Sequence, residues 1–331
     1  MHDQTSYDHI LVIGFGGPEK PSDILPFLRI VTEGRNIPEE RLKSVAHHYE
    51  AIGGKSPYNP ITLKLVELLK EKLISEGIRL PVYLGLRNWN PFLKDTLSKI
   101  KADGLKRGIG IILAPFRSEA SCQRYKKNVQ NAAAEANALD IHYDFLESWF
   151  DHPGFIQAQA DQVKILLEKM PSEEKKNLLV LFSNHSIPIE MDEGCPHCRY
   201  SREFEAASSL VAGVLGLKDW QLVYQSRSGN PRTPWLEPDV SEVIGQNAEK
   251  KKAVLLIPIG FLCDNAEVLY DLDIEAKAKA VESGIHYYRA STVTHHEKFV
   301  GMFCELILEK LQRGKSVEAV PKTKMAGCSP A

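Results

Sequence analysis

Along the chain, short apolar runs of strand length alternate with stretches whose apolar residues recur every three or four positions. Strand-like runs occupy residues 10–13, 82–86, 108–114, 178–182, 220–225 and 254–259. Helical spacing fills residues 21–28, 38–49, 62–76, 91–103, 121–139, 155–169, 200–215, a stretch from 240, and 297–311. In the third of these, Leu65, Leu68, Leu69 and Leu73 share one face, as an amphipathic helix requires. Unbroken alternation of this kind predicts parallel sheets covered by helices on both sides. The pattern restarts after the turn Asp151-His-Pro-Gly154 and the charged connection 170–177. Two α/β arrays are therefore expected, residues 1–150 and 151–312, followed by a polar, Pro-containing flexible tail at 313–331.

The stretch 254–275 carries the first chemical signal. It begins as a strand, breaks at Pro258 and Gly260, and continues at helical spacing. Asp264, Glu267, Asp271 and Glu275 follow one another at three or four residues, which stacks four carboxyl groups on one helix face. Such a row is either a solvated acidic face or a place that a cation visits. Ligands in open α/β sheets sit beyond the carboxyl ends of the strands, which selects the loops 15–18, 183–188 and 260 onward. His185 and Glu267 are then expected to approach each other from neighbouring strands. An imidazole beside a carboxylate suits a divalent first-row metal such as iron, or proton transfer near neutral pH. Alone, a histidine such as His185 near a strand end is more often an ordinary loop residue than a ligand or base.

Composition removes several classes. The chain has 331 residues, 43% of them apolar, enough to fill proper cores. A formal charge of −2 leaves no footprint for DNA or RNA. No apolar run is long enough to cross a bilayer, and the first residues lack the basic and apolar regions of a signal peptide, so a cytoplasmic protein is expected. Six cysteines in that setting argue against a disulfide framework. Gly14, Gly16 and Gly17 miss the G-x-G-x-x-G spacing, and Pro18 stands where a phosphate-binding helix would start, so no nucleotide is expected.

Four segments, Gly-Phe-Gly-Gly-Pro (14–18), Tyr-Glu-Ala-Ile-Gly-Gly-Lys-Ser-Pro (49–57), Leu-Phe-Ser-Asn-His-Ser-Ile-Pro (181–188) and Pro-Ile-Gly-Phe-Leu-Cys-Asp-Asn-Ala-Glu-Val-Leu-Tyr-Asp (258–271), resemble the signatures of ferrochelatases, in the right order. Residues 27–41 are similar to the branch that uses coproporphyrin III. The resemblance implies two flavodoxin-like (Rossmann-like) domains with the porphyrin in the cleft between them, and insertion of Fe²⁺ in haem synthesis. His185 matches the histidine at the porphyrin centre, as metal ligand or proton acceptor, and Glu267 matches its carboxylate partner. Asp271 and Glu275 extend that line towards a second cation or a proton exit. Ser56 and Tyr125 match positions at the porphyrin edge, while the loop around His48 and Tyr49 lies near a propionate.

Three departures stand out. Asn265-Ala266 replaces the His-Leu usual in relatives, Phe15 stands where some coproporphyrin enzymes have tyrosine, and Cys195-Pro-His-Cys198 adds a C-x-x-C pair. Thiolates at this spacing suit iron–sulfur or zinc; the resemblance implies Cys122 as a further ligand of a [2Fe–2S] cluster, with Cys328 or His197 to complete four, against the alternative of free thiols. Cys263 and Cys304 read as ordinary buried residues. Arg35, Arg117, Arg124 and Lys126 are candidate donors to substrate carboxylates. Coproporphyrin III is the favoured substrate; protoporphyrin IX, a cobalt or nickel chelatase acting on another tetrapyrrole, and a porphyrin- or haem-binding carrier without chemistry are the alternatives.

Overall fold

The computed structural model describes residues 7–193, 199–228 and 232–316. It contains two four-stranded, wholly parallel sheets of identical topology. The first comprises β1 (His9–Gly14), β2 (Val82–Leu86), β3 (Arg107–Ile112) and β4 (His142–Phe145) in the order β2-β1-β3-β4. The second comprises β5 (Leu178–His185), β6 (Gln221–Gln225), β7 (Ala253–Ile257) and β8 (His286–Arg289) in the order β6-β5-β7-β8. Chain order reverses at β1/β3 and again at β5/β7, which creates one crevice per sheet beyond the strand ends. Central strands β1 and β7 are buried at every position, as the continuous apolar runs require.

Helices α1 (Ile24–Val31), α2 (Glu39–Ala51), α3 (Tyr58–Ser75), α4 (Leu93–Ala102) and α5 (Arg124–Glu135) accompany the first sheet. With the second come α6 (Pro153–Lys169), α7 (Ser172–Lys176), α8 (Ile189–Glu193), α9 (Tyr200–Leu215), α10 (Val240–Gln246), α11 (Lys277–Glu282) and α12 (Glu297–Ser316). The halves are joined by one continuous apolar cluster, and α12 packs on both α3 and α6. Within it the ring of Trp149 meets Phe155, Phe299 and Phe303 edge-on at centroid distances of 5.3, 5.8 and 5.5 Å.

Several elements differ from the sequence expectation. Edge strands β4 and β8 were not anticipated, because four-residue segments as polar as His-Tyr-Asp-Phe and His-Tyr-Tyr-Arg lack the apolar run that marks a central strand. Helix α3 starts at Tyr58, before Pro60, since a proline in the first turn removes an amide that would have no intrahelical partner. Helix α12 runs to Ser316, so residues 313–316 are helical rather than part of a flexible tail. The acidic segment is a π-helix, Val268–Ala276, and a second π turn spans Glu119–Gln123. Such turns interrupt α-helices most often at functional sites.

Candidate active site

Strand β5 does not end at Phe182 as its apolar run suggests. It continues through Ser183, Asn184 and His185, with His185 paired to Gln225 of β6. The polar strand end is held from within: the Tyr200 hydroxyl lies 2.8 Å from Asn184 Oδ1 and 2.9 Å from His185 O. His185 is therefore the last residue of a rigid strand, at the second sheet's reversal point. Opposite it, the chain leaving β7 turns through Gly260, whose amide donates to Ser183 O at 3.1 Å. Only glycine permits that approach, since a Cβ there would fall within the Asn184 side chain and 2.9 Å from its Cα.

This crossing brings His185 Nε2 to 3.4 Å from Glu267 Oε1. The pair keeps 31% and 42% of its side-chain surface accessible. Desolvation is nonetheless the largest influence on each group, so the two sit at the bottom of a recess rather than on a convex surface. Burial alone would lower the His185 pKa, but the charge and hydrogen bond of Glu267 raise it above 6.5. Burial would likewise raise Glu267, and His185 pulls it below its ordinary value. His185 Nδ1 faces Ser186 O. A carbonyl and a carboxylate both only accept, so Nδ1–H faces Ser186 O and Nε2–H faces Glu267 Oε1 while the ring is protonated; once the Nε2 proton leaves, the neutral ring carries its lone pair on Nε2.

The carboxylate row is three long rather than four. Asp264 precedes the helix and, with Asp273, holds Arg289 at 3.1 and 2.6 Å, which clamps the π segment to β8. Glu267, Asp271 and Glu275 remain in line, from the recess to the exposed Glu275. Asp271 is raised to about 7 by burial, despite a hydrogen bond from Ser226 Oγ, with Glu267 and Glu275 adding to the rise. Ser226 adopts φ 62°, a left-handed conformation uncommon outside glycine. Burial, then the charge of Asp239, raises Glu275.

The first half walls the recess. His48 and Tyr49 belong to the last turn of α2, not to a loop. The His48 ring stacks on Tyr270 of the π-helix at 3.8 Å and 9°. The Tyr49 phenol is raised by burial, then by the charge of Glu267. Tyr125 is buried with the Arg87 guanidinium 4.4 Å from its ring centroid. Ser56 is buried against Gly17, its hydroxyl accepting from the Tyr58 amide at 3.3 Å. A cavity of about 150 Å³ borders Ser186, Gln225 and Asp239, well below the size of a pocket for a four-ring pigment.

Of the expected carboxylate donors, Arg35 and Arg124 lie together: burial, then the charges of Arg35 and Arg87, lower Arg124. Arg87 was not anticipated. Arg117 is instead bound to Glu203 at 2.5 Å, and Lys126 lies over the Phe145 ring. Cys263 and Cys304 are buried thiols and Cys122 is half-buried, its Sγ 3.4 Å from Ser118 O. Cys195, His197, Cys198 and Cys328 lie outside the described residues. Asn265 stands out in the sequence only as a departure from the relatives' pattern, although an asparagine just before helical spacing is also a recognisable cap signal. Among the described residues no group of three or more His, Cys, Asp or Glu is placed to hold a metal, and no helix is long and apolar enough to cross a membrane.

Comparison with known proteins adds the following. The ferrochelatase family profile matches residues 7–311. A ferrochelatase of Rhodopirellula baltica is 41% identical over 313 residues, covering 94% of this chain and 88% of that protein. A coproporphyrin III ferrochelatase of Streptomyces coelicolor is 38% identical over 335 residues, with coverage of 96% and 89%. Among solved structures, the Fe³⁺ form of SirB from Bacillus subtilis superimposes with a TM-score of 0.57 at 11% identity, covering 94% of this chain and 98% of that one, a likeness of fold alone.

Proposed function

The chain belongs to the ferrochelatase family, and from that premise we propose that it inserts ferrous iron into coproporphyrin III, with His185 and Glu267 as the reacting pair. The observation that carries the residue assignment is the 3.4 Å approach of the two side chains at the bottom of an accessible recess. As Fe²⁺ enters a porphyrin, two pyrrole protons leave, so the site needs an acceptor and an exit route. His185 Nε2 takes the two pyrrole protons one after the other, the Glu267 carboxylate stabilising the imidazolium and accepting each proton from it before the next is taken. Glu267 then passes the proton along the row. Asp271, with a pKa of about 7, can hold it at neutral pH and release it towards the exposed Glu275. Only while the ring is neutral could Nε2, with the Glu267 carboxylate, instead hold the incoming Fe²⁺, and two protein ligands would leave most of its coordination open for the four pyrrole nitrogens.

Coproporphyrin carries four propionates and protoporphyrin two. Arg124, lowered first by burial and then by the charges of Arg35 and Arg87, supports the substrate with more negative charge. Replacing His185 by Ala should abolish iron insertion while porphyrin binding persists; full turnover in that variant would remove the assignment. Initial rates with the two porphyrins, followed by absorbance, test the substrate. A preference for protoporphyrin would overturn the choice, and absence of turnover with either would favour a carrier.

A thiolate metal site is the second part of this reading. Helix α8 packs on the π turn that holds Cys122, and the Arg199 amide donates to Arg117 O at 3.1 Å, so the chain on both sides of Cys195 and Cys198 is anchored beside that cysteine. Thiolates from Cys122, Cys195 and Cys198, with Cys328, are the donor type an iron–sulfur cluster takes, and bound there it would supply electron-transfer chemistry. Anaerobically purified protein without acid-labile sulfide or visible charge-transfer absorption would end this idea. The free thiols of Cys263 and Cys304 support a reducing, cytoplasmic setting, which cell fractionation tests.

A further inference from the structure

We propose that Asn265 is the positioning residue of the Glu267 carboxylate, holding one of its oxygens so that the other faces His185. The inference rests on the assignment of Glu267 to the reaction made above. Asn265 opens the acidic helix. Its backbone carbonyl accepts from the Leu269 amide at 3.0 Å and its Oδ1 from the Val268 amide at 2.9 Å, the arrangement of an N-cap. A backbone N–H can only donate, so the Val268 bond fixes which end of the side-chain amide is oxygen. The NH2 end must point the other way, and there it donates to Glu267 Oε2 at 3.2 Å.

Glu267 is thereby held at both ends. Gln225 Nε2 donates to its backbone carbonyl at 3.1 Å, and Asn265 holds the tip. With Oε2 occupied, Oε1 is the atom left at 3.4 Å from His185 Nε2. Without the amide, a flexible carboxylate with 42% of its side-chain surface open to solvent would sample other rotamers, and the approach to His185 would be lost part of the time. One side chain thus joins the start of the helix to the aim of the reacting group. The two tasks are separable by substitution, because serine and aspartate cap helices but neither can donate an amide hydrogen to Glu267.

The test uses the full chain with Asn265→Ser, Asn265→Asp and Asn265→Ala. It measures thermal unfolding, coproporphyrin III binding without iron, and initial rates over ranges of Fe²⁺ and porphyrin. Asn265→Ser should unfold near the wild-type temperature, bind porphyrin with unchanged affinity, and lose about tenfold to a hundredfold in kcat, the loss expected of a misplaced reacting group. Asn265→Asp should lose at least as much kcat, whereas Asn265→Ala should lose stability as well. Wild-type kcat in Asn265→Ser, or kcat losses that only track the unfolding temperature across the series, would overturn the proposal. His185→Ala measured alongside separates the two readings. If it is active, the site assignment falls and this inference with it; if only Asn265→Ser is active, this inference alone falls.

Discussion

Gly260→Ala tests whether the site depends on the crossing of the β7 loop over the end of β5. The new Cβ would lie 2.9 Å from Asn184 Cα and inside the Asn184 amide. Against a carbon–carbon optimum of roughly 3.5 Å, the backbone contact is about 0.6 Å too short and cannot be relieved by rotation. The amide cannot simply swing away either, since Asn184 Oδ1 accepts from the His185 amide at 2.9 Å and the Tyr200 hydroxyl at 2.8 Å. Overpacking costs about 1–3 kcal/mol and loss of one buried hydrogen bond about 1 kcal/mol, together roughly 2–4 kcal/mol. With an unfolding entropy of about 2.1 cal/mol/K per residue over 331 residues, that corresponds to a drop of about 3–6 °C in Tm. A loop displaced by this distance carries Glu267 off His185, and kcat should fall about tenfold while porphyrin binding changes little. Gly213→Ala is the control: it lies in exposed helix with nothing within 4 Å of the added carbon, and should gain about 0.5–1 kcal/mol. Differential scanning calorimetry and iron-insertion rates read both variants. A Gly260→Ala protein with wild-type Tm and kcat would refute the steric argument.

Two further outcomes follow from the electrostatics. Asp271, whose pKa rises from 3.8 to about 7 on folding, stays protonated in the folded chain at pH values where the unfolded chain has ionised it. Its contribution to stability is thus complete below pH 4 and declines up to about pH 7, a penalty of up to roughly 4 kcal/mol. Asp271→Asn should accordingly be more stable than wild type at pH 8, with the difference vanishing near pH 4; parallel denaturation curves at both pH values would contradict this. Arg124→Ala should raise KM for coproporphyrin III about tenfold to a hundredfold, the loss of one charge-assisted hydrogen bond, with kcat little changed. A fall in kcat at constant KM would place Arg124 elsewhere in the reaction.

What could be read from the sequence was whatever local pattern determines. Short apolar runs located β1, β2, β3, β5, β6 and β7, and the strand-end rule brought His185 and Glu267 together. Edge strands β4 and β8 were hidden because they are only four residues long and too polar to form an apolar run. The π-helix was hidden too, since Asp264 and Asp273 reach Arg289 of β8, a tertiary clamp absent from helical periodicity. Arg87 and the His48–Tyr270 stack depend on where one half of the chain lies relative to the other, which no window of neighbouring residues encodes.

Duplicated topology raises the question of why one reversal point carries the chemistry. At the first, the glycine loop after β1 is already filled. Asn59 exchanges hydrogen bonds with both backbone groups of Gly17 at 2.9 and 3.0 Å, and the Tyr58 hydroxyl accepts from the Phe15 amide at 2.7 Å. A Cβ on Gly17 would meet Ser56 at 2.7 Å, so this loop uses its glycines to pack onto the start of α3. The amides that would otherwise cradle an anion are spent internally. That crevice becomes a wall, with Phe15 half-buried against Phe27 and the Arg87 guanidinium 5.7 Å from its ring centroid. At the second crevice, Gly260 instead draws two loops together and leaves His185 and Glu267 accessible. One fold unit thus supplies a surface and the other the reacting groups. Filling the second crevice as the first is filled would keep the fold and remove the chemistry.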